Sequence, residues 1–251
     1  MSGHSKWSTI KHKKAAKDVR RGKLFTKLIR EITVATRMGG SGDLNFNPRL
    51  RLAVGSARAA SMPNENIDRA IKKGAGEGTG EIFEEVTYEG YGPGGVAILV
   101  HVLTDNRNRT VADVRNAFAK NGGNLGETGC VNYLFQHRGV ILVEREAVDE
   151  ERLIELALAA GADDISESPE GFAITTEPEA LHAVQQALEA AAIVMASAEL
   201  THVPMTSMPV APTHVAQLNR LVELLEDSDD VQSVVSNADL VEEAAASHAV
   251  S

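Results

Sequence analysis

The residues best suited to chemistry lie in a basic segment at positions 4–23. It holds eight lysines or arginines against one acidic residue, Asp18. Such cations bind phosphates through charge and counter-ion release, so the segment favours a polyanionic partner. Its tryptophan, Trp7, is the only one in the chain and offers a flat ring on which a base stacks. We predict a nucleic-acid-binding arm that consists of His4, Lys6, Trp7, Lys11, His12, Lys13, Lys14, Lys17, Arg20, Arg21, Lys23 and Lys27.

Trp7 has two interpretations. In the first, its ring stacks on a base or a ribose of the bound nucleic acid. In the second, the ring packs back onto the N-terminal domain and anchors the arm. The first predicts weaker binding and little change in thermal stability for Trp7→Ala, and the second predicts a lower melting temperature.

A second group of candidate residues lies in "DNRNRTVAD", positions 105–113. Arg107 and Arg109 stand at the start of a predicted helix, with Asn108 or Thr110 as its cap and Asp113 completing a capping box. Two guanidinium groups beside the free N–H groups of a helix start suit a phosphate. The alternative is that both arginines form salt bridges with nearby acidic residues such as Glu84, Glu85 or Glu89.

A glycine-rich turn, "GYGPGG", joins two predicted strands at positions 90–95. It is typical of a hairpin, although its N–H groups could hold an anion. Together with the helix start, it supplies the candidate phosphate-binding or partner-binding residues: Tyr88, Gly92, Gly94, Gly95, Arg107, Asn108, Arg109 and Thr110.

Known catalytic and metal-binding signatures are absent from the sequence. "GAGEGTG" follows a predicted helix rather than a strand, so it is not a dinucleotide fingerprint. The eight histidines show no metal-ligand spacing and Cys130 has no partner cysteine, which excludes a structural zinc motif. Cys130 is interpreted as a small buried residue at the start of a strand. We therefore predict no metal, no cofactor and no catalytic residue; an uncharacterised enzyme is the less favoured alternative.

The charge of the chain is divided between its two ends. Residues 1–75 carry 17 basic and five acidic side chains, a net of +12. Residues 76–251 carry a net of −22, so the whole chain has a formal charge of −10. This asymmetry favours a basic end that binds polyanions and an acidic body that repels them.

The composition also indicates the cellular compartment in which the protein is expected. One cysteine excludes an internal disulfide and fits a reducing environment. No apolar run reaches the roughly 18 residues that span a bilayer, and no secretory signal is evident, so we expect no membrane association. The expected location is the cytoplasm, or the mitochondrial matrix if the source is eukaryotic.

The elements that must position these residues fall into three predicted domains of an α+β fold. Residues 1–78 hold the arm and three helices, one of which begins with Asn47 as cap and Pro48 in its first turn. Residues 137–204 follow the order β-α-β-β-α-β, which is the ferredoxin-like unit. We predict that this unit is inserted into a discontinuous α+β domain of residues 79–136 and 205–238, and that 239–251 form an acidic, alanine-rich tail. "CVNYLF", positions 130–135, is predicted as a strand.

Several long motifs resemble the YebC/PmpR family: "GHSKW", "KAAKDVRRGKLFTKLIREI", "NPRLR", "YEGYGPGG" and "DNRNRTVADVR". The resemblance covers residues 2 to about 240 and extends to a mitochondrial relative that activates translation of a cytochrome oxidase subunit. It implies a helical domain plus two α+β domains, and a non-enzymatic regulator of gene expression.

The family resemblance implies two alternative mechanisms. One is a DNA-binding transcriptional regulator. The other is a ribosome-associated translation factor that binds ribosomal RNA and relieves stalling, for example at proline runs. The positions to test are the arm and the segments 88–95 and 106–110. Expected partners are DNA or ribosomal RNA and the ribosome, and a monomer is the favoured oligomeric state.

Overall fold

The computed structural model describes residues 19–76 and 82–240. In these ranges the helices are α1 (Val19–Gly39), α2 (Pro48–Ala59), α3 (Asn64–Gly74), α4 (Arg107–Lys120), α5 (Glu150–Ala159), α6 (Leu181–Ala190) and α7 (Pro212–Glu226). The strands are β1 (Glu84–Tyr91), β2 (Ala97–Thr104), β3 (Asn124–Leu125), β4 (Phe135–Glu144), β5 (Ala162–Ser168), β6 (Gly171–Thr176), β7 (Met195–Pro204), β8 (Met208–Pro209), β9 (Val231–Ser236) and β10 (Ala238–Asp239). Helices combined with two antiparallel four-stranded sheets place the chain in the α+β class.

The first three helices pack around one apolar core. The predicted start of α2 is confirmed, because the Asn47 side chain accepts the Leu50 N–H at 3.0 Å and Pro48 occupies the first turn. Helix α1 ends at Gly39, and the following Gly40 has a φ of +64°, which favours glycine. The apolar stripes of the three helices meet at Ile32, Ala35, Leu50, Val54, Ala57 and Ile67.

The first sheet has the strand order β3-β1-β2-β9. Its central strand, β2, is buried at every position but one, as its continuous apolar sequence predicts. β9 lies far along the chain yet pairs with β2 in antiparallel register, from Ile98 opposite Ser236 to Val102 opposite Val231. Helices α4 and α7 contribute Phe118 and Leu221 to the core of this sheet.

The second sheet, formed by residues 135–204, has the strand order β5-β6-β4-β7. Its elements follow one another as β4-α5-β5-β6-α6-β7, the order of the split β-α-β unit. Asp149 caps α5, because its side chain accepts the Arg152 N–H at 3.0 Å. Phe172, Leu153 and Leu188 fill the core between this sheet and its two helices.

The predicted strand at 130–135 is wrong for most of its length. Residues Asn132–Leu134 form a 3-10 turn, and β4 begins only at Phe135. A buried carboxylate accepts the N–H groups of Val131 and Asn132, so these groups do not reach a neighbouring strand. Cys130 is half-buried and precedes the turn, rather than being a buried residue that starts a strand.

Three histidines lie where the two sheets meet. The ring of His101 on β2 stacks on that of His202 on β7, with centroids 4.7 Å apart. His137 on β4 lies 5.3 Å from His202. Over residues 19–76 and 82–240, neither these histidines nor any other group of three His, Cys, Asp or Glu residues could hold a metal ion. In the same ranges, no helix is both long and apolar enough to cross a bilayer.

Candidate nucleic-acid interface

Most of the predicted arm lies outside the described residues, which begin at Val19. The interface role of these residues stays a prediction: His4, Lys6, Trp7, Lys11, His12, Lys13, Lys14 and Lys17. Arg20 and Arg21 belong to the first turn of α1, but only their backbone is described. Of the predicted arm side chains, the structure therefore describes Lys23 and Lys27.

Lys23 and Lys27 contact the C-terminal end of α7. The Lys23 ammonium lies 3.0 Å from a carboxylate oxygen of Asp227 and donates to the carbonyl of the same residue at 3.2 Å. Lys27 donates to the carbonyl of Glu226 at 2.6 Å. The last carbonyls of a helix lack internal partners and carry partial negative charge, so lysines satisfy them. Both cations thus bind protein oxygens here, and their role as phosphate ligands stays a prediction.

Asp230 is the centre of a buried polar cluster that spacing along the chain did not reveal. Its carboxylate accepts from Arg30 at 2.6 Å, from Arg109 at 2.8 Å and from the Thr110 hydroxyl at 2.7 Å. The Thr104 hydroxyl adds a longer bond of 3.3 Å. Burial alone would raise the pKa of Asp230, but the bonds from Arg109, Thr110 and Arg30 outweigh it and lower that pKa. The cluster joins α1, the end of β2, the start of α4 and the turn before β9.

The predicted cap of α4 is wrong. Asn106, not Asn108 or Thr110, caps the helix, because its side chain accepts the Arg109 N–H at 3.0 Å. The Arg109 guanidinium also pairs with Asp105 at 2.8 Å, in addition to its bond to the buried carboxylate. The salt-bridge alternative therefore holds for Arg109, but with partners other than those expected.

Arg107, Asn108 and Arg109 are exposed at the start of α4. The hydroxyl of Tyr88, a largely buried residue, donates to the Arg107 carbonyl at 3.4 Å. Burial raises the pKa of Tyr88, and the nearby Arg107 guanidinium partly offsets this rise. The structure thus brings Tyr88 beside the helix start, where Arg107 is exposed and Arg109 is exposed but paired with two carboxylates.

The glycine turn lies at the other end of the sheet. It follows β1, whereas Arg107 follows β2 at the opposite end, roughly 25 Å away for an eight-residue strand. The Gly92 N–H donates to the Val96 carbonyl at 2.7 Å and the Gly95 N–H to the Gly92 carbonyl at 3.1 Å. Two of the turn's N–H groups are thus used internally, which weakens the anion hypothesis for Gly92, Gly94 and Gly95.

Glu89 is a second buried carboxylate, and it shapes a loop. It accepts the backbone N–H groups of Gly129, Val131 and Asn132 at 2.7, 2.8 and 2.8 Å. Burial alone would raise the pKa of Glu89, but the three hydrogen bonds outweigh burial, so this pKa lies below its usual range. Glu89 is therefore unavailable as the predicted partner of Arg107 or Arg109. Glu85 is engaged elsewhere too, since it pairs with Arg49 at 2.9 Å.

The chain is similar to known proteins along nearly its whole length. The family model described as "TACO1/YebC protein N-terminal domain" matches residues 5–77, and "TACO1/YebC second and third domain" matches residues 83–238. A "probable transcriptional regulatory protein" of Desulforapulum autotrophicum is 54% identical over 97% of this chain and 98% of its own. A relative of the same name from Enterococcus faecalis is 56% identical over 95% of this chain and 99% of its own.

A solved structure has the same fold. The crystal structure of a conserved hypothetical protein from Aquifex aeolicus superposes with a TM-score of 0.85 at 50% identity, covering 92% of this chain and 95% of that one. The sequence resemblance noted above is thereby confirmed. The chain belongs to the TACO1/YebC family.

Proposed function

We propose that this protein is a non-enzymatic, nucleic-acid-binding regulator of gene expression that acts in the cytoplasm. The supporting observation is the charge division of the sequence, a net of +12 in residues 1–75 against −22 in the remainder. The curated relatives are named probable transcriptional regulatory proteins, which supports the regulatory role. Phosphate binding is assigned to the arm, because the net charge of the body gives no attraction to a polyanion.

Two targets are compatible with this chemistry. The relatives' name favours DNA, and with it a transcriptional regulator. The charge of the body favours the alternative, a translation factor on ribosomal RNA, because a net of −22 repels a long duplex while folded or single-stranded RNA can meet the arm alone. A regulator of promoters protects a defined DNA site, whereas a translation factor sediments with ribosomes.

We also propose the three-domain division predicted from the sequence, with residues 137–204 inserted between 79–136 and 205–238. The pairing of β9 with β2 supports it, because this pairing returns the chain to the first sheet after the second sheet is complete. In this arrangement the arm belongs to a helical domain of residues 1–78, so the cations that bind phosphates are on a different domain from most of the acidic residues.

The test of the proposed function is neutralisation of the arm. Replacing Lys11, Lys13, Lys14 and Lys17 together with Gln is expected to abolish binding to both duplex DNA and ribosomal RNA, measured by fluorescence anisotropy, and to leave the melting temperature unchanged. The matched control removes the same number of charges from exposed positions on the body: Arg115, Lys120, Arg152 and Arg220. Unchanged affinity in the arm variant contradicts the proposal.

The target is identified by crosslinking in cells followed by sequencing of the bound nucleic acid. Recovery of promoter DNA supports the transcriptional role, and recovery of ribosomal RNA supports the translational one. The arm variant serves as the background, because a genuine target must disappear from it. Recovery of neither, with the wild-type chain folded and abundant, rejects both roles.

A further inference from the structure

Two tyrosines expose their rings beside the glycine turn. Tyr133 is 64% exposed and Tyr91, the last residue of β1, is 38% exposed. The Tyr91 hydroxyl donates to the Cys130 carbonyl at 3.0 Å, which places Tyr91 beside the loop that carries Tyr133. Desolvation and the nearby Tyr133 hydroxyl raise the pKa of the Tyr91 phenol. We call this pair the tyrosine platform. Met205 and Met208 are also exposed, at 52% and 37%.

The backbone under the tyrosine platform is held from several sides. Glu89 fixes the residues that precede Tyr133 through its three backbone bonds. The Tyr91 hydroxyl donates to the Cys130 carbonyl at 3.0 Å, and the Met205 N–H donates to the Leu134 carbonyl at 2.9 Å. Burial of a carboxylate is costly unless it is hydrogen-bonded, and all three hydrogen bonds given for the Glu89 carboxylate come from the loop of residues 129–132. The exposed ring of Tyr133 is thus presented by a fixed backbone.

The glycine turn continues this surface. Gly94 and Gly95 are exposed and have φ of +75° and +80°, a conformation that side chains rarely adopt. A Cβ on Gly94 would lie 3.3 Å from the His214 ring, and one on Gly95 would lie 3.7 Å from the Met208 methyl group. The backbone of the turn therefore lies against the flat ring of His214 and the flexible thioether of Met208.

The chemistry of this surface fits flat ligands. Its rings belong to tyrosine and histidine, the residue types on which exposed bases of single strands stack. The tyrosine platform carries no charge, so it adds no ionic attraction to a phosphate. We propose that Tyr133 and Tyr91 form a stacking surface for unpaired nucleobases, while the basic arm holds the phosphates. This inference rests on the proposed function and adds base contacts to it.

The experiment separates base contacts from phosphate contacts. Affinity of the full chain is measured for an RNA of about 12 nucleotides and for an abasic strand of the same length and charge. Tyr133→Leu keeps an apolar side chain but removes the ring, and Tyr133→Phe keeps the ring. We expect Tyr133→Leu to weaken binding to the RNA roughly tenfold and to the abasic strand less than about twofold, with Tyr133→Phe close to wild type.

Controls separate the tyrosine platform from other aromatics and from the proposed function. Phe46→Leu removes a ring that is 79% exposed on the helical part and is expected to change neither affinity. If wild type binds neither strand, the proposed function fails. If wild type binds both strands and Tyr133→Leu still prefers the RNA to the abasic strand as strongly as wild type does, the stacking proposal is wrong. The preference for bases then comes from another residue such as Trp7, and the exposed tyrosines are left for contact with a protein. Repeating the series with single-stranded DNA of the same sequence shows whether the stacked bases belong to an RNA or to a DNA strand.

Discussion

At the scale of the residue, two buried carboxylates organise the parts of the molecule that we assign to function. Glu89 is satisfied entirely by backbone N–H groups, and Asp230 by two guanidinium groups and two hydroxyls. A buried charge is tolerated only when it is paired and hydrogen-bonded. Arg109 and Thr110, which the sequence offered as phosphate ligands, consequently bind a carboxylate of the fold, and Arg107 and the half-exposed Arg109 are the cations of that helix start.

His101 makes stability depend on pH. Burial, and then the neighbouring His202, lower the pKa of His101 to about 4, whereas a histidine of the unfolded chain titrates near its ordinary value of 6.5. Thr87 contacts its Nδ1 at 3.1 Å, Glu85 acts in the opposite direction, and His137 adds to the lowering. Below its ordinary pKa the unfolded chain therefore takes up a proton that the folded chain excludes. This contribution to stability is complete above pH 6.5 and is lost as the pH falls toward 4.

The expected result is a loss of about 2 kcal/mol between about pH 7.5 and pH 5 that depends on His101. Urea unfolding of His101→Phe, which keeps a ring in the stack but cannot titrate, is expected to lack that part of the pH dependence. His182→Asn, on an exposed position of α6, is the matched control and should follow wild type. Identical pH profiles for wild type and His101→Phe would show that the buried imidazole does not resist protonation.

At the scale of the element, the contact between α1 and the end of α7 is one of the features that join the helices to the domain of the first sheet, together with the Arg49–Glu85 pair. Arg30 donates to the Asp229 carbonyl at 2.7 Å and to the Asp230 carboxylate, and both residues follow α7. Arg30 lies on the same face of α1 as Lys23 and Lys27, because it follows Lys27 by three residues and Lys23 by seven, which are about one and two helical turns. One face of a basic helix is thus used for protein contact.

Removal of the Arg30 side-chain charge is expected to destabilise the protein. Arg30→Met leaves the buried Asp230 carboxylate with fewer donors, and we expect a loss of roughly 2 kcal/mol in the free energy of unfolding, because Arg109 and Thr110 still bind it. Lys23→Met breaks a pair that is 40% and 65% exposed and should cost less than about 1 kcal/mol. Equal losses in the two variants, measured by urea unfolding, would contradict the importance of the buried cluster.

Periodicity and capping residues predicted most elements, because these signals are local. The helix start at Asn47–Pro48, the cap at Asp149 and the apolar strand β2 all depend on residues within a few positions of each other. The strand predicted at 130–135 failed because its backbone donors are taken by Glu89, about 40 positions earlier. The cap of α4 failed for a local reason, since Asn106 competes with two other good capping residues nearby.

The candidate site was less predictable than the fold. Arg109 and Thr110 bind a carboxylate 120 positions away or more, and no spacing rule connects such partners. The same holds for Lys27, whose acceptor lies 199 positions further along. A cation that binds a phosphate and a cation that binds a distant helix end look alike in a sequence, because both are basic residues on a polar helix face.

At the scale of the whole molecule, the polarity of charge explains how an acidic protein can bind a polyanion. The net of −22 after residue 75 opposes approach of the body, so binding must depend on the cations of the N-terminal part. Two groups of these cations differ in what the structure says of them. Lys23, Lys27 and Arg30 contact the end of α7 and the residues that follow it, whereas the arm residues up to Lys17 precede the described part.

The dependence of affinity on salt can distinguish these two groups. Each phosphate contact on a single strand contributes about −0.7 to the slope of log K against log salt, so Lys13→Gln with Lys14→Gln should make the slope less steep by about 1.4. Lys23→Gln with Lys27→Gln removes the same charge from side chains already bound to Asp227 and Glu226, and should change the slope by less than about 0.5. Both double variants are titrated with the same RNA by anisotropy between about 50 and 200 mM salt. Equal changes in slope would mean that Lys23 and Lys27 leave α7 to bind phosphates, and that the contact between α1 and α7 opens when the nucleic acid binds.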